Sequence, residues 1–141
     1  MEELKELHKI SEMNMTKRIL IVDDEEIVIK LLLEIFGGFR DYKILCARDG
    51  KEALQMTRED KPDIIILDIN IPIIDGYEVC KSVKSDPAMS YIKVLMLSGM
   101  AQTFNLQKGQ EVGADAYITK PFNTTVLIEK VEELLGGSQS S

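Results

Sequence analysis

The chain has little of what most zinc, disulfide and nucleic-acid sites are made from. Its 141 residues include one histidine, His8, and two cysteines, Cys46 and Cys80. The cysteines lie far apart with no second thiol near either, which excludes a disulfide framework and leads us to expect small buried apolar residues in a reduced, cytoplasmic setting. Cations are in deficit: 17 Lys and Arg against 24 Asp and Glu give a net charge of −7. That balance excludes the basic face that a phosphate backbone requires, so no nucleic-acid partner is expected. No apolar leader precedes the first strand, and no uninterrupted apolar run approaches the roughly 18 residues of a membrane span, so a soluble protein is expected. Only 4 Pro and 9 Gly interrupt a composition that is 45% hydrophobic and 29% charged, which argues against disorder and supplies a core. Two ordinary cores would each need roughly 100 residues, so one domain and one site are expected.

Short apolar runs recur with longer mixed stretches between them: Ile19 to Val22, Ile44 to Ala47, Ile64 to Leu67, Val94 to Leu97 and Ala116 to Ile118. Apolar residues on successive rather than alternate positions suit strands covered on both faces, and the intervening stretches read as helices. Asp49 with Glu52, and Asp75 with Glu78, have the spacing of Asp capping boxes and each predicts a helix start. The last helix is expected after Asn123, burying Val126, Leu127, Val131, Leu134 and Leu135 and stopping at Gly136 and Gly137. Five β-α units with right-handed crossovers predict an α/β fold: a doubly wound, five-stranded parallel sheet of order 2-1-3-4-5 with five helices. Residues 1–16 stand apart as an extension with Leu4, Leu7 and Ile10 at helical spacing, either a frayed leader or a contact with a partner or second copy. Met15 is an alternative start. The domain proper is expected over 17–136, and 137–141 as a loose tail.

Polar residues fall at the carboxyl ends of these strands: Asp23 and Asp24 after the first, Asp68 after the third, Ser98 after the fourth and Lys120 after the fifth. In an open α/β sheet the ligand crevice lies outside those ends, at the order reversal, so three carboxylates and an ammonium are expected to converge. At about 4 Å and an effective dielectric near 20, each pair of like charges costs roughly 4 kcal/mol, which a divalent cation relieves. All-oxygen donors select Mg²⁺ over zinc, and Mg²⁺ keeps exchangeable water positions open to phosphate oxygens. Asp68, on the central strand, is then a candidate nucleophile for an acyl phosphate, with Lys120 holding a phosphoryl oxygen and Asp23 and Asp24 free for metal. Taken singly, Asp23 and Asp24 could cap the next helix and Asp68 could open a turn before Pro72. Five polar residues at one sheet edge make that bland reading the weaker one.

The sequence resembles a response-regulator receiver domain of two-component signalling, of the chemotaxis-regulator-like kind, over about residues 17–136. The resemblance rests on Ile-Leu-Ile-Val-Asp-Asp (19 to 24), Asp68-Ile-Asn-Ile-Pro-Ile-Ile-Asp-Gly76, Ser98-Gly99, Gly113-Ala114-Asp115 and Lys120-Pro121-Phe122. It implies a flavodoxin-like fold. It implies Asp68 as phosphoacceptor, Asp24 and Asp68 as side-chain ligands of Mg²⁺, Asp23 acting through water, and the Asn70 backbone carbonyl as a further ligand. Lys120 would pair with the phosphoryl group after a cis peptide to Pro121, Ser98 would bond a phosphoryl oxygen, and Gly99 would leave access. Tyr117 matches the aromatic switch position that follows Ser98, in place of the packing role a strand-end tyrosine otherwise has. Asn70 and Met100 fall where the family modulates hydrolysis of the acyl phosphate, and their chemistry pulls in opposite directions.

The function implied is a signalling switch, not an enzyme, phosphorylated by a histidine kinase or phosphotransfer protein and read by a downstream protein or output domain. Partners would read the face of the fourth helix and fifth strand; a phosphorylation-dependent homodimer is left open. A Mg²⁺-dependent phosphohydrolase with an aspartyl nucleophile is disfavoured, because Asp68-Ile-Asn70 lacks the second acid that would protonate a leaving group. A flavin carrier would need a Gly/Ser/Thr-rich loop where Asp23, Asp24, Glu25 and Glu26 stand. A scaffold that has lost phosphorylation is disfavoured by the complete Asp, Ser and Lys set.

Overall fold

A computed structural model describes residues 2–3, 16–99 and 106–136. The expectations for Leu4, Leu7, Ile10, His8, Met15, Met100 and the tail from Gly137 lie outside the described residues. In chain order the elements are β1 (Lys17–Val22), α1 (Glu26–Gly37), β2 (Tyr42–Ala47), α2 (Gly50–Asp60), β3 (Ile64–Asp68), α3 (Gly76–Ser85), β4 (Lys93–Ser98), α4 (Leu106–Val112), β5 (Ala116–Thr119) and α5 (Thr124–Leu134). The strands form one parallel sheet of order β2-β1-β3-β4-β5, as the sequence predicts.

The successive apolar residues of the central strands serve two cores at once. On β1, Ile19 and Ile21 face one side with Ile64 and Ile66 of β3 and Leu95 and Leu97 of β4. The alternate residues Leu20, Val22, Ile65, Leu67, Val94 and Met96 face the other. This is the period-2 alternation of a strand with both faces covered. The first core is closed by Ile29, Leu32 and Phe36 of α1 and by Leu127 and Val131 of α5. The second is closed by Ala53 and Leu54 of α2, by Val79, Cys80 and Val83 of α3, and by Val112 of α4. Two helices on one face and three on the other make the sheet doubly wound, and the reversal of strand order falls between β1 and β3.

The expected caps are present. Asp49 accepts from the Glu52 N–H at 2.7 Å and Asp75 from the Glu78 N–H at 2.9 Å, while Asn123 accepts from the Val126 N–H at 3.1 Å. Each satisfies an orphan donor of a first helical turn. Three expectations need correction. Leu134 and Leu135 are only partly buried, because they lie at the very end of α5, at the edge of the core that Leu127 and Val131 enter. Val126 is 50% exposed, because it sits about 100° around α5 from Leu127, off the stripe that Leu127 and Val131 bury. Cys46 is only half-buried, since β2 is an edge strand covered less completely than its neighbours; Cys80 is buried, and burial pushes its thiol up to about 12.

Ile66 is fully buried on the central strand, whereas Ile27 on α1 is 75% exposed. Ile66→Ala should therefore cost about 2–5 kcal/mol through lost transfer energy and a residual cavity, and Ile27→Ala should stay within about 0.5 kcal/mol. Urea denaturation of the two variants checks this, and equal midpoints would contradict the two-faced core.

Candidate functional site

The site lies where the carboxyl ends of β1, β3, β4 and β5 meet. The apolar pull on each strand is satisfied by its buried run, so the first polar residue after each run emerges at the rim. Asp23 follows Val22 and is itself buried; Asp68 ends β3 and is 4% exposed; Asp24 is exposed. The three carboxylates each offer an oxygen, and those atoms all lie within 4.8 Å of one another. A cleft of ≈ 250 Å³ lined by Asp24, Glu25, Asp68, Asn70, Gly99 and Lys120 opens over them.

Lys120 enters from the end of β5. Its backbone N–H donates to the Ser98 carbonyl at 2.7 Å, which extends the β4–β5 ladder by one bond, and the Lys120–Pro121 peptide is cis. The ammonium donates to Asp23 Oδ2 at 2.9 Å and lies 3.3 Å from Asp68 Oδ1 and 3.7 Å from Glu25 Oε1. Asp23 Oδ1 accepts from the Glu25 N–H at 2.9 Å. Both Asp23 oxygens thus accept one donor each, which leaves each a further lone pair toward the cleft. The same bond ties Asp23 to the entry of α1, but it reaches the N–H of Glu25 ahead of the first turn and so does not cap the helix.

The electrostatics follow from this crowding. Burial first, then the Asp23 charge, raise the Asp68 carboxyl to about 6, against the opposing pull of Lys120. Burial alone would lower the Lys120 ammonium, but the hydrogen bond and charge of Asp23, aided by Asp68, outweigh it and the group is raised. One ammonium does not neutralise this many carboxylates, and the donor set is oxygen throughout. Three carboxylate oxygens at close range, with Asn70 at the rim, fit a small hard divalent cation that retains water ligands.

Close packing fixes the end of β3. A Cβ on Gly76 would stand 2.6 Å from the Asp68 carbonyl oxygen and 2.7 Å from Ile69 Cα, too close for any side chain. Only glycine lets the start of α3 press against the end of β3, where the Gly76 N–H donates to the Ile69 carbonyl at 2.8 Å. The sequence motif contained Gly76 but gave no reason for it; the reason is a contact that no local pattern encodes. Sequence reasoning also passed over Glu25, treating it as part of a repulsive acidic run, although its place directly after two acidic residues was the signal available.

Ser98 is fully buried at the end of β4, on the strand next to Asp68, with Gly99 at the cleft. Tyr117 is drawn elsewhere. It is 45% exposed on β5 and lines a groove of ≈ 310 Å³ with Gly109, Gln110, Ala114, Asp115 and Lys130, so it is not the core packer a strand tyrosine would ordinarily be. No described helix is long and apolar enough to cross a membrane.

Comparison with known proteins gives the same reading from an independent direction. Residues 19–132 match the family model described as the response regulator receiver domain. The chain is 41% identical over 128 residues to the alkaline phosphatase synthesis transcriptional regulatory protein PhoP of Bacillus subtilis (strain 168), covering 89% of this chain and 51% of PhoP, so it spans about half the length of that relative. It is 34% identical over 122 residues to the polar-differentiation response regulator DivK of Brucella ovis, covering 86% of this chain and 98% of DivK. Among solved structures, the signal receiver domain of a signal transduction histidine kinase from Syntrophus aciditrophicus superposes with a TM-score of 0.79 at 32% identity, covering 89% of this chain and 95% of that one.

The raised Asp68 carboxyl yields a pH test. Its native value of about 6 exceeds the ordinary 3.8, so the native state holds this proton more tightly than the unfolded chain does. Stability therefore falls as pH rises from about 4 through 6, by up to about 3 kcal/mol at 1.36 kcal/mol per unit. In EDTA at pH 8, Asp68→Asn should melt several degrees above the parent, and the gap should close at pH 4 and shrink when Mg²⁺ is added. A variant that melts lower than the parent in EDTA at pH 8 would contradict the crowded-carboxylate account.

Proposed function

The chain belongs to the response regulator receiver domain family of two-component systems, and from that premise we propose that Asp68 accepts a phosphoryl group, with Mg²⁺ and Lys120 assisting, and that this phosphorylation switches partner binding. The observation that carries the reading is Lys120 beside both Asp23 and Asp68 at the mouth of an acidic cleft. Receiver domains act as signalling phosphoacceptors rather than enzymes in the usual sense, and they work with histidine kinases and output targets. The receiver unit proposed for this chain spans 17–136, with 1–16 and 137–141 as flanking segments.

In the transfer, a carboxylate oxygen of Asp68 attacks the donor phosphorus. A new P–O bond forms as the bond from phosphorus to the donor nitrogen or oxygen breaks, and the leaving group departs with the electron pair and takes up a proton. Mg²⁺ when bound supplies charge neutralisation at the phosphoryl oxygens. Asp24 and Asp68 would hold it by side chain, Asp23 through water and Asn70 through its backbone carbonyl. Lys120 has two roles. Before transfer it offsets the charge of Asp23 and Asp68; afterwards it pairs with a phosphoryl oxygen, since a dianion outcompetes a single carboxylate for the same ammonium. Gly99 at the cleft leaves room for the incoming group, and Ser98 is the hydroxyl proposed to bond it.

The output is proposed to run from Ser98 along β4 to β5. Ser98 pairs with Thr119 in the β4–β5 ladder, and Tyr117 is two residues before Thr119 on the same strand. A shift of Ser98 toward the phosphoryl group reaches Tyr117 through this register, and Tyr117 borders the groove on the α4–β5 face. A downstream protein reading that face would sense the change. PhoP is by its name a transcriptional regulator, about twice the length of this chain, while DivK is matched over nearly its whole length.

Intact-mass spectrometry after incubation with Mg²⁺ and acetyl phosphate should show a single phosphoryl adduct on the parent and none on Asp68→Asn or in EDTA. Lys120→Ala should retain the metal-dependent adduct at a rate lower by about tenfold or more, because a charge-stabilising contact to the transferring group is lost. An adduct that survives Asp68→Asn would place the acceptor elsewhere.

A further inference from the structure

Glu25 occupies the N-cap of α1 but does not cap it: its side chain makes no hydrogen bond to the first turn. A capping Ser, Thr, Asp or Asn there would bond a free N–H of the first turn. The carboxylate of Glu25 instead borders the cleft, 60% exposed, with Oε1 3.7 Å from the Lys120 ammonium. Of the three carboxylates around Lys120 it is the outermost, since Asp23 and Asp68 lie beneath at 2.9 and 3.3 Å and are almost wholly buried. The helix dipole favours a carboxylate at this helix start, and its place beside Lys120 also puts a negative charge at the entrance of the cleft.

We infer that Glu25 is a specificity-determining residue that sets the charge of the cleft mouth and disfavours small anionic acyl phosphates as donors. The inference rests on the phosphoacceptor reading of Asp68. The charges decide its sign. Asp23, Asp24, Glu25 and Asp68 stand against Lys120, so a bound divalent cation leaves one formal negative charge, and loss of Glu25 leaves none. A dianionic donor therefore approaches a repulsive site in the parent and a neutral one without Glu25. A donor delivered on a protein brings its own docking contacts and is less sensitive to this one charge, so the residue biases supply toward protein donors.

The test compares the parent, Glu25→Gln and Glu25→Asp, each as the full chain. Calorimetric titration with Mg²⁺ in the absence of donor comes first: Glu25→Gln should bind the ion about two- to fivefold more weakly at low salt, because one nearby negative charge is gone. At saturating Mg²⁺, Glu25→Gln should raise the second-order rate of phosphorylation by acetyl phosphate roughly three- to tenfold in 50 mM KCl. The gain should appear in the donor saturation constant rather than the maximal rate. It should nearly vanish in 1 M KCl, where the screening length falls to about 3 Å. Phosphoramidate, with less charge, should show a smaller gain, and Glu25→Asp, which keeps the charge, should behave like the parent. Equal rates for the parent and Glu25→Gln, or a gain that persists in 1 M KCl, would overturn the inference. A parent that takes up no phosphoryl group under any of these conditions would instead remove the phosphoacceptor reading beneath it.

Discussion

One ammonium holds together a group of carboxylates that would otherwise repel. Lys120, at the end of β5, bonds Asp23, lies beside Asp68 and comes near Glu25, so it joins the β1–α1 loop and the end of β3, segments far apart in sequence. The remaining negative charge is not cancelled; burial first, and then the charge of Asp23, raise the Asp68 carboxyl. That residual charge is the physical basis of the site: it leaves the cleft short of positive charge, and both a divalent cation and a protonated Asp68 answer the same shortage. A bound divalent cation would relieve the repulsion among these carboxylates.

The fold is arranged to hold those charges at one edge. Both faces of β1, β3 and β4 are sealed by apolar packing, so water reaches the backbone only at the strand ends. Because all strands are parallel, every carboxyl end lies on the same side, and the order reversal between β1 and β3 opens the crevice there. Close contacts then set the depth of the cleft. Gly76 lets α3 seat against the backbone of Asp68, and Gly50, whose Cβ would overlap Ile74, lets α2 seat against the loop after β3, where the Gly50 N–H donates to the Pro72 carbonyl at 3.2 Å. Within that loop Ile73 has a φ of +75° although it is not glycine. A β-branched residue in that region costs on the order of 1–3 kcal/mol, which the flanking bonds sustain.

The far end of the sheet is pinned by a different set. Asp115 accepts from the Val94 N–H and from Lys84, each at 2.8 Å, and Lys84 also donates to the Ile92 carbonyl at 2.6 Å. The Gly-Ala-Asp motif thus joins α3, β4 and β5 opposite the cleft, with Gly113 at a φ of +87° making the turn between α4 and β5. The packed, hydrogen-bonded base thus lies opposite the charged, partly exposed rim.

Much of this was legible in the sequence because it depends on local rules. Consecutive apolar residues announced strands buried on both faces, Asp49, Asp75 and Asn123 announced three helix starts, and polar residues at strand ends placed Asp23, Asp24, Asp68, Ser98 and Lys120 on one rim. The family resemblance added the cis peptide before Pro121, which the structure contains. Other features depend on distance across the fold, which one-dimensional patterns do not carry. Asp23 has both oxygens engaged, Glu25 turns from its helix toward Lys120, Gly76 is required by the backbone of another element, Val126 falls off its stripe, and Tyr117 stands partly in solvent. Sequence by itself determined which residues reach the rim, since that follows from periodicity and chain order. Tertiary structure alone decided which of them touch, because hydrogen bonding and charge repulsion among groups several ångströms apart are set by how the strand ends are packed together.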